Sequence, residues 1–107
     1  MNITQEEFEK MFHDKTEDSP FKKGWIVYFT ASWCAPCKKI NHAAVESIAQ
    51  TKRIPYWKCD ETINSYTSGY CAIRKFPTFV YFKPKQTVST LQSADTDQIV
   101  SWISTLE

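Results

Sequence analysis

Cys34 and Cys37, set in Trp33-Cys34-Ala35-Pro36-Cys37, have the residue types and spacing to do chemistry. An apolar run, Trp25-Ile26-Val27-Tyr28-Phe29, precedes them, and a helical pattern opens behind them with Lys38, Lys39 and Ile40. The first N–H groups of a helix have no intrahelical partner and carry the positive end of its dipole, so they favour a thiolate. Cys34, at the turn, is expected to be the exposed and more acidic sulfur. Cys37, one turn further on the same face, is expected to be the more buried one. Residues so spaced at a helix start can reach disulfide geometry without large backbone movement. The ring they would close is small and constrains the unfolded chain little, so it should open readily to a reductant. Pro36 suits the first turn, where a missing N–H costs nothing, and it stiffens the link between the sulfurs. The pattern describes thiol–disulfide exchange.

The elements that position the pair belong to a chain of 107 residues, read as one domain over 1–107. Such a length buries roughly two-thirds of its unfolded surface and needs no staples. With 13 basic and 12 acidic residues the net charge is +1, with no basic stripe for nucleic acid and no polybasic anchor for a membrane. No apolar run approaches the ~20 residues that span a bilayer. The segment Met1-Asn2-Ile3-Thr4-Gln5-Glu6-Glu7 has neither the basic nor the apolar region of a signal peptide, so a cytoplasmic, reducing location is expected. Four unevenly spaced cysteines then read as one redox pair plus two thiols rather than a disulfide framework.

In chain order, Met1 to Ile3 is a stub of edge strand, and Thr4-x-x-Glu7 is a capping box for a helix with Phe8, Met11 and Phe12 as its stripe. Asp14 to Pro20 breaks that helix, and Lys22-Lys23-Gly24 leads into a central strand over 25–30, apolar on both faces. A helix from about Pro36 to Gln50 is expected to bury Cys37, Ile40, Ala44 and Ile48. A second strand is read over Ile54–Lys58, a weak helix over Thr62–Tyr70 and a buried strand over Phe79–Phe82. Lys83-Pro84-Lys85-Gln86 turns the chain into an edge strand over Thr87–Leu91. Asp95 caps a last helix with the stripe Ile99, Val100, Ile103 and Leu106. Strands alternating with helices, joined by right-handed crossovers, predict an α/β fold with a mostly parallel sheet.

Trp33-Cys34-Ala35-Pro36-Cys37-Lys38, with Phe76-Pro77-Thr78 ahead of an apolar strand, resembles the thioredoxin family from about residue 22 to 106. The resemblance implies a central mixed sheet of four to five strands flanked by helices on both faces. It implies that Cys34 is the attacking thiolate and Cys37 the resolving thiol of a protein-disulfide reductase without cofactor or metal. It also implies a cis Phe76–Pro77 bond, whose backbone pairs with an extended substrate beside Trp33, Ala35 and Pro36. Protein disulfides are the implied partners of a monomer, and a reductase or other dithiol is the electron donor.

Some positions depart from the family pattern. Ala35 replaces a usual glycine. His42 replaces the proline that kinks the active-site helix, so that helix is expected to run straighter. Gln92 stands near a usual glycine and is expected to narrow the substrate groove. The buried carboxylate six residues before the first cysteine is here Tyr28, while the lysine that usually faces it survives as Lys58. Tyrosine is a poor base at neutral pH, so Tyr28 and Lys58 are the proton-transfer candidates and resolution by Cys37 is expected to be slow.

Other readings remain at this point. The cysteine pair would serve as half of a zinc site if Cys59 and Cys71 completed it, but those two lack the close spacing of a second hook. They are read as a buried small hydrophobe and a partly exposed thiol. His42, about 140° round the helix from its buried stripe, is read as a solvated surface residue. An oxidase or isomerase, or a redox-sensitive binding module without turnover, are the functional alternatives. Reduction of insulin by dithiothreitol, catalysed or not, separates the reductase from the module.

Overall fold

The computed structural model describes residues 2–14 and 23–106. The strand β1 (Trp25–Thr30) is its centre, with all six residues buried. Beside it lies β2 (Tyr56–Asp60), parallel, with Tyr28 in register with Lys58 and Thr30 with Asp60. On its other side β3 (Thr78–Lys83) runs antiparallel and pairs with the antiparallel edge strand β4 (Gln86–Gln92), in the order β2-β1-β3-β4.

This is the mixed four-stranded sheet that the resemblance implies, not the mostly parallel one predicted from alternation. The cause is the connection from β2 to β3. Its helix, α3 (Ser65–Tyr70), has 6 residues, or about 9 Å of rise. A parallel β3 needs the chain to travel back the length of a strand, roughly 17 Å. It re-enters instead from the end at which β1 stops, and this places Phe76 and Pro77 beside the cysteines.

Alternation along β1 and β3 sorts the core into two layers. Ile26, Tyr28, Phe79 and Tyr81 face Cys34, Cys37, Val45 and Ala49, together with Ile99, Ile103 and Leu106 of α4 (Thr96–Ser104). Trp25, Val27, Phe29, Val80 and Phe82 face Phe8 and Met11 of α1 (Gln5–Phe12), with Cys59 from β2. The capping box forms as read: Thr4 Oγ1 accepts from the Glu7 N–H at 3.1 Å, and Glu7 returns a carboxylate to the Thr4 N–H at 2.9 Å. Asp95 caps α4 through the Gln98 N–H. Asn2 bridges to Lys58, the expected edge stub, whereas Met1, residues 15–20 of the expected break and the two residues after it lie outside the described residues.

One boundary moves, and one hairpin turn forms without the glycine such turns favour. The second strand starts at Tyr56 rather than Ile54, because Ile54 is spent in closing α2 (His42–Thr51), its N–H bonded to Ala49 O. Pro55, with no N–H to donate, then precedes the ladder. The turn between β3 and β4 places Lys85 at φ 59°, the conformation the missing glycine would have taken, and anchors its N–H on Phe12 O.

Candidate active site at the dithiol turn

Beyond Thr30 the chain turns, with the Cys34 N–H donated to Ala31 O at 3.0 Å. Ser32 is tied to Thr62 beyond β2 by its N–H and its hydroxyl. Cys34 and Cys37 are joined as a disulfide, their Cα atoms 5.4 Å apart. Both are 3% exposed, which corrects the expectation of an exposed Cys34: with the bond closed, each sulfur packs in the same layer of the core. The asymmetry lies in hydrogen bonding instead. The Cys37 N–H points at Cys34 Sγ, 3.2 Å away, in the first turn of a short helix (Pro36–Lys39). No corresponding donor reaches Cys37 Sγ among the described residues. When the disulfide opens, a thiolate at Cys34 keeps an oriented donor.

That helix is of the tighter 3₁₀ form, and it does not continue to Gln50 as predicted. Ile40 is extended (φ −72°, ψ 136°), and the chain restarts as α2, capped by Asn41, whose side chain accepts from the Ala44 N–H at 3.2 Å. The Asn41 N–H is itself held by Thr96 Oγ1 at 3.0 Å. Asparagine gains more as a cap than inside a helix, so the helix breaks here even without a proline. The break rotates the buried stripe: Val45 and Ala49 are fully buried, while Ala44 and Ile48 are only half-buried.

His42 is the residue that this break relocates. Rather than lying on the surface, it is half-buried, tilted against Tyr28 with centroids 5.3 Å apart. Its Nε2 lies 2.9 Å from the Cys37 carbonyl oxygen, one of the acceptors freed by the break. His42, Tyr28, Cys34 and Cys37 line one cavity of about 490 Å³ with Thr30, Lys38, Glu46, Lys58 and Asp60.

Tyr28 faces this cavity at 3% exposure and stacks on Phe79. Its hydroxyl donates to Thr30 Oγ1 at 3.1 Å. Burial pushes its pKa up; the Thr30 hydrogen bond opposes this and the Asp60 charge adds to it. Lys58 is exposed at the cavity rim, in register with Tyr28. Asp60, which the sequence reading missed, lies two residues along the same face of β2, half-buried, with Oδ1 accepting from the Thr62 N–H at 2.9 Å. Its signal was available: in a strand, residues i and i+2 share a face.

On the outer side, Trp33 is 67% exposed and meets Phe76 edge-on, centroids 5.5 Å apart. The Phe76–Pro77 bond is cis. Ala35 and Pro36 are exposed and Phe76 is half-buried, whereas Pro77, the fifth residue read as substrate-binding, is itself buried. Gln92 is not part of this surface. It pairs with Thr78 at the end of β4 and lines a separate cavity with Phe8, Phe12 and Tyr70 on the opposite face of the sheet. Cys59 and Cys71 also pack on that face, away from Cys34 and Cys37, so the four cysteines do not converge. Burial pushes both thiols up to about 12.

The family model for thioredoxin matches residues 1–105. A thioredoxin of Malassezia sympodialis is 33% identical over 82 residues, covering 74% of this chain and 77% of that one. A protein disulfide-isomerase A6 homolog of Caenorhabditis elegans is 33% identical over 85 residues, 75% of this chain but only 19% of the longer protein. The solved Malassezia sympodialis thioredoxin superposes with a TM-score of 0.77 at 27% identity, covering 94% of this chain and 84% of that structure. With a dithiol at the N-terminus of its helix and a matching model along nearly its whole length, the chain belongs to the thioredoxin family of thiol–disulfide oxidoreductases.

Proposed function

We propose that this chain works as a reductant of protein disulfides, in the cytoplasm, as a single-domain monomer re-reduced by a reductase or another dithiol. The observation that carries the assignment of roles is the Cys37 N–H aimed at Cys34 Sγ. Cys34 thiolate attacks one sulfur of a substrate disulfide; that S–S bond breaks, and the second substrate sulfur leaves as a thiolate and takes a proton from solvent. Cys37 then loses its proton and attacks Cys34 Sγ, breaking the mixed disulfide and closing Cys34–Cys37. Two electrons pass from the dithiol to the substrate. Trp33 and Phe76 offer an aromatic contact, and the backbone ahead of Pro77 offers a place for an extended substrate to pair. Cys59 and Cys71, unpaired, support a reducing compartment.

Trapping tests the roles. Cys37→Ser is expected to accumulate mixed disulfides through Cys34, and Cys34→Ser to accumulate almost none. Equal trapping by the two variants, or trapping through Cys71, would reverse or displace the assignment. Equilibration of the pair against glutathione tests the direction: a reductant closes its disulfide in buffers that leave an oxidant as the dithiol.

A further inference from the structure

The exchange reaction proposed above leaves one proton without a destination. Cys37 must be deprotonated before it can attack, and a thiol in apolar surroundings holds its proton. Tyr28 cannot take it: the phenol is itself protonated, its burial disfavours the anion, and its hydroxyl is already donated to Thr30. Lys58 is a hydrogen-bond donor with no acceptor lone pair to offer.

His42 is built into the site differently. A carbonyl oxygen only accepts, so the nitrogen 2.9 Å from Cys37 O, Nε2, is the one that carries hydrogen. In the neutral ring that leaves Nδ1 as the acceptor. Two contacts hold the ring, the carbonyl of the resolving cysteine and the tilted ring of Tyr28, and its own backbone is fixed as the first residue of α2. The cavity it lines also contains Cys37, and its rim carries exposed Ser32, Lys38, Glu46 and Lys58, so solvent reaches between them. Histidine is the residue type that exchanges a proton between about pH 5 and 8.

We propose that His42 accepts the proton of Cys37 in the resolving step, in place of the carboxylate that position 28 lacks. The Cys37 S–H proton passes across the cavity to His42 Nδ1, either directly or along solvent. The freed electron pair forms the Cys37–Cys34 bond, the Cys34–substrate bond breaks, and its pair departs on the substrate sulfur. The imidazolium that results still donates through Nε2 to Cys37 O, so the backbone is held in both protonation states. The charged and titratable groups facing it are Tyr28 from β1, Lys38 and the cysteines from the dithiol turn, Glu46 from α2, and Lys58 and Asp60 from β2. Tyr56 lies nearby, its buried hydroxyl without a hydrogen-bond partner among the described residues. Asp60 is the rival base: its Oδ1 accepts from the Thr62 N–H but its second oxygen can still take a proton, so Asp60→Asn is the variant that separates the two.

Reaction of the reduced protein with an aromatic disulfide that releases a coloured thiol separates the two steps. A first release reports attack by Cys34, and a second reports resolution by Cys37. The same traces on Cys34→Ser, which lacks both phases, report whatever Cys59 and Cys71 release and are subtracted. The second rate, followed from about pH 5 to 9, should rise and then level off, as a rate carried by a positioned general base does. In His42→Gln, whose amide N–H can still reach Cys37 O, the plateau should vanish. The rate should then climb about tenfold per pH unit, as for direct thiol ionisation, and fall by roughly ten- to a hundredfold at pH 7. His42→Asn is the second variant should the first fail to fold, and the wild-type profile stands by itself, since a rate with no plateau overturns the proposal. It is also overturned if His42→Gln keeps the plateau, or if Asp60→Asn removes it. Loss of the first release would instead refute the exchange reading on which the proposal rests.

Discussion

Tyr28→Phe removes one hydroxyl from the cysteine-bearing layer and leaves the ring stacked on Phe79, centroids 4.8 Å apart. What is lost is the hydrogen bond to Thr30 Oγ1 at 3.1 Å, inside the core. A neutral buried bond of this kind contributes about 1 kcal/mol, which for a domain of this size is roughly 4–6 °C in Tm. The pH dependence is more diagnostic. Burial is the largest cause raising the Tyr28 pKa in the folded state, so the unfolded phenol ionises first, near 10. Below about pH 10 both states hold the proton and the gap between wild type and variant is constant. Above it the folded wild type binds more protons than the unfolded chain, and its stability falls until pH passes the folded pKa. The variant has no such proton. Its deficit should therefore shrink, by as much as about 1.4 kcal/mol per pH unit. Urea unfolding of the oxidised proteins, followed by tryptophan fluorescence from about pH 6 to 11, reads this directly, and Tyr56, present in both, cancels. A deficit that stays constant or grows above pH 10 refutes the buried-phenol account. A slower resolving step in Tyr28→Phe would make the hydroxyl a proton relay after all.

Two further perturbations test the scaffold and the substrate surface. Gly24 has φ 92°, and a Cβ there would stand 2.6 Å from Phe82 O and 2.7 Å from Tyr81 Cε1, so Gly24→Ala should cost roughly 2–4 kcal/mol in urea unfolding; a loss under half that would mean the entry to β1 can shift. Trp33→Ala should raise KM for a protein disulfide several-fold, and far more than for a small aromatic disulfide. Equal effects on the two would place the exposed indole in the chemistry rather than in substrate contact.

Local rules carried the reading where local forces decide. Thr4 and Glu7, and Asp95 with Gln98, satisfy helix-end donors within a few residues, so their caps were legible. With Cys37 on one side of the sheet, period-two alternation along β1 puts Tyr28 in the same layer. The break at Ile40–Asn41 was hidden because helical periodicity continues across it from Lys38 to Gln50. Its signal was Asn41 itself, a strong cap in a poor interior position. Continued as one helix, the period turns Ala44 and Ile48 inward where Val45 and Ala49 are buried and sends His42 to the surface, although Glu46 is exposed on either count. The antiparallel entry of β3 depended on how far α3 carries the chain, and no pattern of hydrophobicity contains that length.

Tyr28 and His42 are then one arrangement rather than two separate departures from the family pattern. A carboxylate at position 28 would be small and would hold a proton, whereas the tyrosine ring fills the layer, stacks on Phe79 and presents its other neighbour, the imidazole, with a surface at 5.3 Å. A proline at position 42 would break the helix but offer no donor to the freed Cys37 carbonyl. Histidine lets Asn41 make the break and then uses the carbonyl so exposed, placing a titratable ring on the resolving cysteine's own backbone. The proton-handling group has in effect moved from strand β1 to helix α2. Its distance from Cys37 is then fixed by five residues of chain and one hydrogen bond, instead of by packing between a helix and a sheet.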